Sequence, residues 1–98
     1  MISHRTTTYK KLYQLLPDVI KKKARKSYKL WSVDPNHPSL KFKEIYKDVW
    51  SVRIGYSYRS VGVKPNNDTI IWFWVGSHEE YNKLLKHLAN ISKGFIIK

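Results

Sequence analysis

Cysteine is absent from this 98-residue chain, which removes disulfides and thiolate-bound zinc from consideration. The four histidines are scattered, without the short paired spacing of metal ligands, so neither a metal site nor a cofactor is expected. Long apolar runs are missing as well. The longest, Ile70 to Gly76, is far too short to cross a bilayer, and the opening stretch MISHRTTTYKK lacks the apolar centre of a signal peptide. A cytoplasmic protein is the expectation. Acidic residues are also scarce: seven Asp and Glu stand against nineteen Lys and Arg, a formal charge of +12. A globule this basic attracts polyanions, because each neutralised phosphate releases counterions, and nucleic acid is the commonest such partner. A membrane surface, an acidic protein or a merely soluble basic surface would satisfy the same charge.

Aromatic residues, in contrast, make up 14% of the chain, which argues for a packed globule and against disorder. The length suits a single domain over residues 1–98 with one core. No repeat, linker or low-complexity tract interrupts it.

The organising stretch is Trp50 to Tyr81. Trp50, Val52 and Ile54 alternate with Ser51, Arg53 and Gly55, as a half-buried strand requires. Tyr58 to Val63 is a second strand, carrying Arg59. Lys64-Pro65-Asn66-Asn67-Asp68 is a turn by composition. Thr69 to Val75 is then apolar on both parities, which predicts a central strand covered on both faces. Of its two tryptophans, Trp72 and Trp74, one is core and the other is either core or a surface stacking platform. Gly76 ends the strand, and Ser77-His78-Glu79-Glu80 has the form of a capping box. The helix it opens places Tyr81, Leu84, Leu85 and Leu88 on one stripe facing the sheet.

Ahead of that stretch, Ile2 to Arg5 is either a short first strand or a frayed lead-in. Tyr9, Leu12, Tyr13 and Leu16 fall at helical spacing, with a threonine available as N-cap and Pro17 closing the segment. Pro17-Asp18 opens a second, antiparallel helix with Ile20, Ala24, Ser27 and Trp31 on its buried side. A charge run on such a helix is most often a solvated face; the alternative is contact of Lys22, Lys23, Arg25 and Lys26 with RNA phosphates. Asp34 to Ser39 stops the helix, and His37 there is a turn residue. Leu40, Phe42 and Ile45 form a first hairpin strand before Tyr46-Lys47-Asp48 turns the chain. The fold expected is α+β: an N-terminal helical pair on a four-stranded antiparallel sheet with a C-terminal helix, plus the optional first strand. The apolar end Phe95-Ile96-Ile97 packs back, pairs with an edge or stays free.

The ordered set of NHPSLKFK after the helical pair, WSVRI followed by YRSVGV, and WFWVGSHEEYNKLL resembles the RelE/ParE superfamily of bacterial toxins from toxin–antitoxin modules, over roughly residues 9 to 88. The resemblance implies one of two activities. RelE-like members cleave messenger RNA in the ribosomal A site by activating the RNA's own 2′-hydroxyl, without a metal; ParE-like members poison DNA gyrase. A non-catalytic, nucleic-acid-binding member is a third reading. By position, Arg59 matches a family arginine that supports the scissile phosphate, Arg53 a basic residue on the preceding strand, and His78 the place of an Arg or His after the last strand. An imidazole there suits proton transfer near neutral pH. Ser51 stands where RelE carries a second basic residue, Leu84 where it carries a tyrosine, and Glu44 lies too far along to match a loop glutamate used by some relatives. Lys41 or Lys43 would supply the missing cation, and Tyr81 the tyrosine. The bland alternatives are that Arg59 bonds only backbone at a sheet edge, that His78 is a first-turn residue beside the cap, and that Tyr81 is core. The partners implied are messenger RNA, the ribosome and a cognate acidic antitoxin; no membrane enters the picture.

Overall fold

The structure, a computed structural model, describes the backbone of residues 1–97 and the side chains of residues 1–89. The reading of Phe95-Ile96-Ile97 lies outside the described side chains. In chain order the elements are β1 (Ile2–Arg5), α1 (Thr7–Gln14), α2 (Asp18–Val33), a 3-10 turn (Pro38–Leu40), β2 (Lys43–Tyr46), β3 (Val49–Ile54), β4 (Tyr58–Asn66), β5 (Thr69–Ser77) and α3 (His78–Ile97).

The strands form one five-stranded sheet in the order β1-β5-β4-β3-β2. Ile2 to Arg5 is therefore a strand, and it pairs parallel to β5, so the sheet is mixed where the four-stranded expectation was purely antiparallel. The Ile2 amide donates to the Asp68 carbonyl at 2.6 Å and the Thr6 amide to that of Trp72 at 3.0 Å, which seats β1 along its neighbour. Thr6 then caps α1, its Oγ1 accepting from the Tyr9 amide at 3.0 Å.

Leu40 and Phe42 are not in the first hairpin strand as expected. Pro38–Leu40 is a 3-10 turn, Lys41 takes a left-handed conformation at φ 47°, and β2 begins only at Lys43. The reason is packing: the turn drops Leu40 into the core at 2% exposure and stacks Phe42 on Trp50, centroids 4.8 Å apart. The turn between β4 and β5 is also shorter than composition indicates, since β4 runs through Pro65 to Asn66. A register shift between Val63 and Asn66 accommodates the proline's missing N–H, and the Asn66 side chain accepts from the Asp68 amide at 2.9 Å to close the turn.

α1 packs on β5 and α2 on β3, and α3 meets β4 and β5. Register shows that α3 lies on the face opposite the other two helices. Tyr9 of α1 reaches Ser60, their hydroxyls 3.1 Å apart, and Trp31 of α2 meets Trp72 edge-on at 5.4 Å; Tyr81 of α3 instead meets Trp74. Val61 pairs with Trp74 and Gly62 with Trp72, so Phe73 is an extra residue in β5. This bulge resolves the apolar character of both parities. Ile70, Trp72 and Val75 join the core under α1 and α2 with Tyr9, Trp31, Val52 and Ile54, while Trp74 turns to the α3 side and stays half-buried. Gly62 lets the Trp72 indole cross β4. A Cβ there would come within 2.9 Å of the indole and 3.0 Å of the Ile71 carbonyl oxygen.

On α3 only Tyr81 of the predicted stripe is buried, at 4% exposure; Leu84, Leu85 and Leu88 are half-buried. The strand before it continues through Gly76 to Ser77. The capping box forms as expected: the Glu80 amide donates to Ser77 Oγ at 3.2 Å, and Glu80 Oε1 accepts from the Ser77 amide at 3.0 Å.

Candidate active site

A three-residue hairpin loop, Gly55-Tyr56-Ser57, joins β3 to β4 and places Arg53 directly opposite Arg59. Directly opposed residues of an antiparallel pair project to one face, here the face that carries α3. Two cations placed this way repel. Each is held by its own neighbours. Arg53 Nε donates to the Gly55 carbonyl at 2.7 Å, with the guanidinium 4.8 Å from the Tyr56 ring centroid. Arg59 Nη1 donates to Ser51 Oγ at 3.2 Å, with its guanidinium 5.1 Å from the Tyr81 ring centroid.

Among the described residues neither arginine meets a carboxylate. Among the described residues the one ion pair is Lys21–Asp18 at 3.9 Å, elsewhere on the molecule. The site thus keeps its positive field and most of its N–H donors for an incoming anion.

His78, the first residue of α3, is exposed; its amide donates to the Ser57 carbonyl at 2.6 Å and its ring lies 6.0 Å from that of Tyr81. The capping box next to it leaves the imidazole unengaged among the described contacts. Glu80 beside it is held below the ordinary glutamate range by the Ser77 amide first and the Ser77 hydroxyl second. Gly76 lies opposite Arg59, and a Cβ there would fall 2.7 Å from the Trp74 indole. The Glu80 carboxylate crowds the same spot, its Oε1 3.2 Å from that Cβ.

The remaining sequence-predicted residues divide. Lys43 pairs with Ser51 and so shares the face of Arg53 and Arg59, whereas Lys41 is exposed on the loop before β2. Tyr81 is buried beneath Arg59, a supporting ring more than a reachable acid. Lys22, Lys23, Arg25 and Lys26 are exposed on α2, beyond the other face. Arg25 Nη1 donates to the Tyr13 hydroxyl at 3.0 Å, away from the site.

Ser51 was legible only as a missing cation. In the fold it is fully buried and accepts from Arg59, a role its small hydroxyl fits and a lysine would not. No sequence signal marks it, because the partner lies across the hairpin.

On the opposite face α1 and α2 diverge over a groove of about 930 Å³. Arg5, Arg25, Lys26 and Lys29 rim it, Tyr9, Tyr28 and Trp31 wall it, and no acidic residue lines it. Burial pushes the Tyr9 hydroxyl above its ordinary range, against the smaller lowering effect of its hydrogen bond with Ser60. The indole Nε1 of Trp31 is buried without a partner. Among the described residues no three His, Cys, Asp or Glu converge as metal ligands, and no helix is long and apolar enough to cross a membrane.

A family model described as a ParE-like toxin domain matches residues 18–83. Two solved structures share the fold. One is the RelB–RelE antitoxin–toxin complex from Methanococcus jannaschii, with TM-score 0.62 and 24% identity over 83% of this chain and 96% of that one. The other is a copper-bound mutant toxin from Helicobacter pylori, with TM-score 0.54 and 17% identity over 82% of this chain and 97% of that one. No curated protein matches the chain.

Proposed function

This chain belongs to the ParE-like toxin domain family of the RelE/ParE superfamily, and on that premise we propose that residues 1–98 act as one toxin domain that cleaves messenger RNA on the ribosome. The observation that carries the reading is the opposed pair Arg53 and Arg59, which no carboxylate among the described residues neutralises, with an exposed histidine at the end of the same face. In the reaction, the RNA's 2′-hydroxyl attacks the adjacent phosphorus and the 5′-oxygen leaves. Arg59 stabilises the charge that builds on the phosphorane, Arg53 and Lys43 hold the flanking phosphates, and His78 protonates the departing 5′-oxygen while the 2′-hydroxyl gives its proton to solvent, leaving a 2′,3′-cyclic phosphate and a 5′-hydroxyl. Ser51 and Tyr81 position Arg59, and Lys41 extends the basic rim.

A gyrase-directed toxin is the second reading. The ParE-like description of the matching family favours it, and it needs no acid–base residue. Induction in a bacterial host separates the two. The nuclease halts translation and leaves new 5′ ends inside codons, mapped by primer extension; intact messengers and a DNA-damage response with ordinary protein synthesis overturn it in favour of the gyrase target.

The expected partner is a cognate antitoxin with an acidic amphipathic tail. The groove between α1 and α2 suits such a tail, with cations at the rim and aromatic walls. A short neighbouring gene of that composition, whose product co-purifies with the toxin at high salt, supports the module. No complex, or one confined to low salt, argues against a dedicated inhibitor.

A further inference from the structure

Lys23 and Lys26 lie beyond one face of the sheet and Arg53, Arg59 and His78 on the other, and the loop joining β3 to β4 is where the two sets meet. The Lys23 side chain lies along Gly55, its Cδ 3.3 Å and its Nζ 3.7 Å from where a Cβ would stand. Lys23, Lys26, Arg53 and Tyr56 line a shallow cavity of about 450 Å³ with no acidic residue in its wall. At the apex, Tyr56 is 89% exposed, the most exposed large apolar side chain among those described. It is nevertheless organised. The Arg53 guanidinium sits over its ring, Arg53 is itself tied to the Gly55 carbonyl, and the Ser57 carbonyl takes the His78 amide.

We propose that Tyr56, backed by Arg53, is a stacking platform for one unpaired base of single-stranded RNA, with Lys23 and Lys26 receiving the phosphates on the far side of the loop. The proposal rests on the reading that the polyanion is RNA. Every base has a π face, so an exposed aromatic ring beside a basic track holds a strand with little regard to sequence. The base must be unpaired to reach it, so the platform selects single strands over duplexes. A strand laid over Tyr56 runs from the Arg59 and His78 face around the loop to α2, which gives the distant lysines a place on the same RNA. Tyr56 is a positioning residue and takes no part in proton transfer.

The test uses the full chain and a labelled 2′-O-methyl hexanucleotide, which cannot be cleaved, with affinity read by fluorescence anisotropy across a salt series. Tyr56→Ala should weaken binding by about 5- to 100-fold, the range for loss of one stacked base, without changing the salt dependence. Tyr56→Phe should bind within about twofold of the wild type, since the ring is kept. Lys23→Ala with Lys26→Ala should instead lower the slope of log affinity against log salt by ~1.4. An abasic site placed in turn along the strand should cost the wild type affinity at one position and cost Tyr56→Ala nothing further there. Wild-type binding by Tyr56→Ala, additive losses at every abasic position, or a wild-type chain that does not bind the oligonucleotide overturns the platform. The nuclease reading fails separately. Binding as described by a chain that leaves messengers intact refutes cleavage and keeps the platform; full cleavage by Tyr56→Ala at unchanged KM refutes the platform and keeps cleavage.

Discussion

Replacing Arg59 removes a cation that no carboxylate among the described residues offsets and that Ser51 and Tyr81 hold in place. At an effective dielectric of about 20, a unit charge 4 Å from a phosphate contributes about 4 kcal/mol. If the half-buried site delivers about 3 kcal/mol of that to the transition state, Arg59→Ala lowers the single-turnover rate by something over 10²-fold. The effect on folding is no larger. Arg59 is half-buried, and its removal leaves the buried Ser51 hydroxyl without its partner, at a cost of about 1 to 3 kcal/mol. Arg59→Lys keeps the charge but loses the guanidinium that sits over Tyr81, and should fall between wild type and alanine. Ser51→Ala frees the guanidinium to swing and should cost roughly 5- to 10-fold, about 1 kcal/mol of positioning. The assay is cleavage of a messenger programmed in ribosomes with toxin in excess, with ribosome affinity and urea unfolding measured on the same variants. Full cleavage by a folded Arg59→Ala chain would refute the reasoning and move the gyrase-directed reading to the front.

His78→Ala should lower the same single-turnover rate by about 10²-fold with ribosome binding barely changed, the usual scale for one acid–base group; retained cleavage would make His78 a corner residue beside the cap. Lys22→Ala with Lys23→Ala should weaken ribosome association and flatten its salt dependence, which titrations at two ionic strengths would detect. Glu80 has a depressed folded-state pKa, so its contribution to stability is present above the unfolded value near 4.3 and fades as pH falls through the lower folded value. Glu80→Gln should remove that part of the acid sensitivity of urea unfolding, and an unchanged pH profile would contradict the cap. Gly62→Ala forces a methyl against the Trp72 indole and the Ile71 carbonyl and should destabilise the chain by about 1 to 3 kcal/mol in urea unfolding; a neutral result would mean that the indole yields.

The chain's own spacing was sufficient for whatever depends on residues a few positions apart. The Ser77–Glu80 capping box, the apolar stripe of α2, the alternation of β3 and the run-out of the second helix at Asp34 are local patterns. Each has a geometry that follows from helix or strand periodicity. The +12 charge is likewise a property of composition that needs no fold, and the motif order around Arg53, Arg59 and His78 pointed to the toxin family that the family model matches. Other features needed the folded chain because their causes are far apart in sequence. Ile2 to Arg5 becomes a strand only because β5 offers a free edge, more than sixty residues on. The bulge at Phe73 sends Trp72 and Trp74 to opposite faces, a parity change that the apolar run itself conceals. The three-residue loop at Tyr56 sets the register that opposes Arg53 to Arg59 and buries Ser51 beneath a guanidinium. Composition marks where a chain turns, but loop length and bulges decide which side chains then face each other. Thus the identity of the cations could be read from the sequence, while their pairing, their lack of acidic partners and the link from Tyr56 to Lys23 arise from tertiary packing.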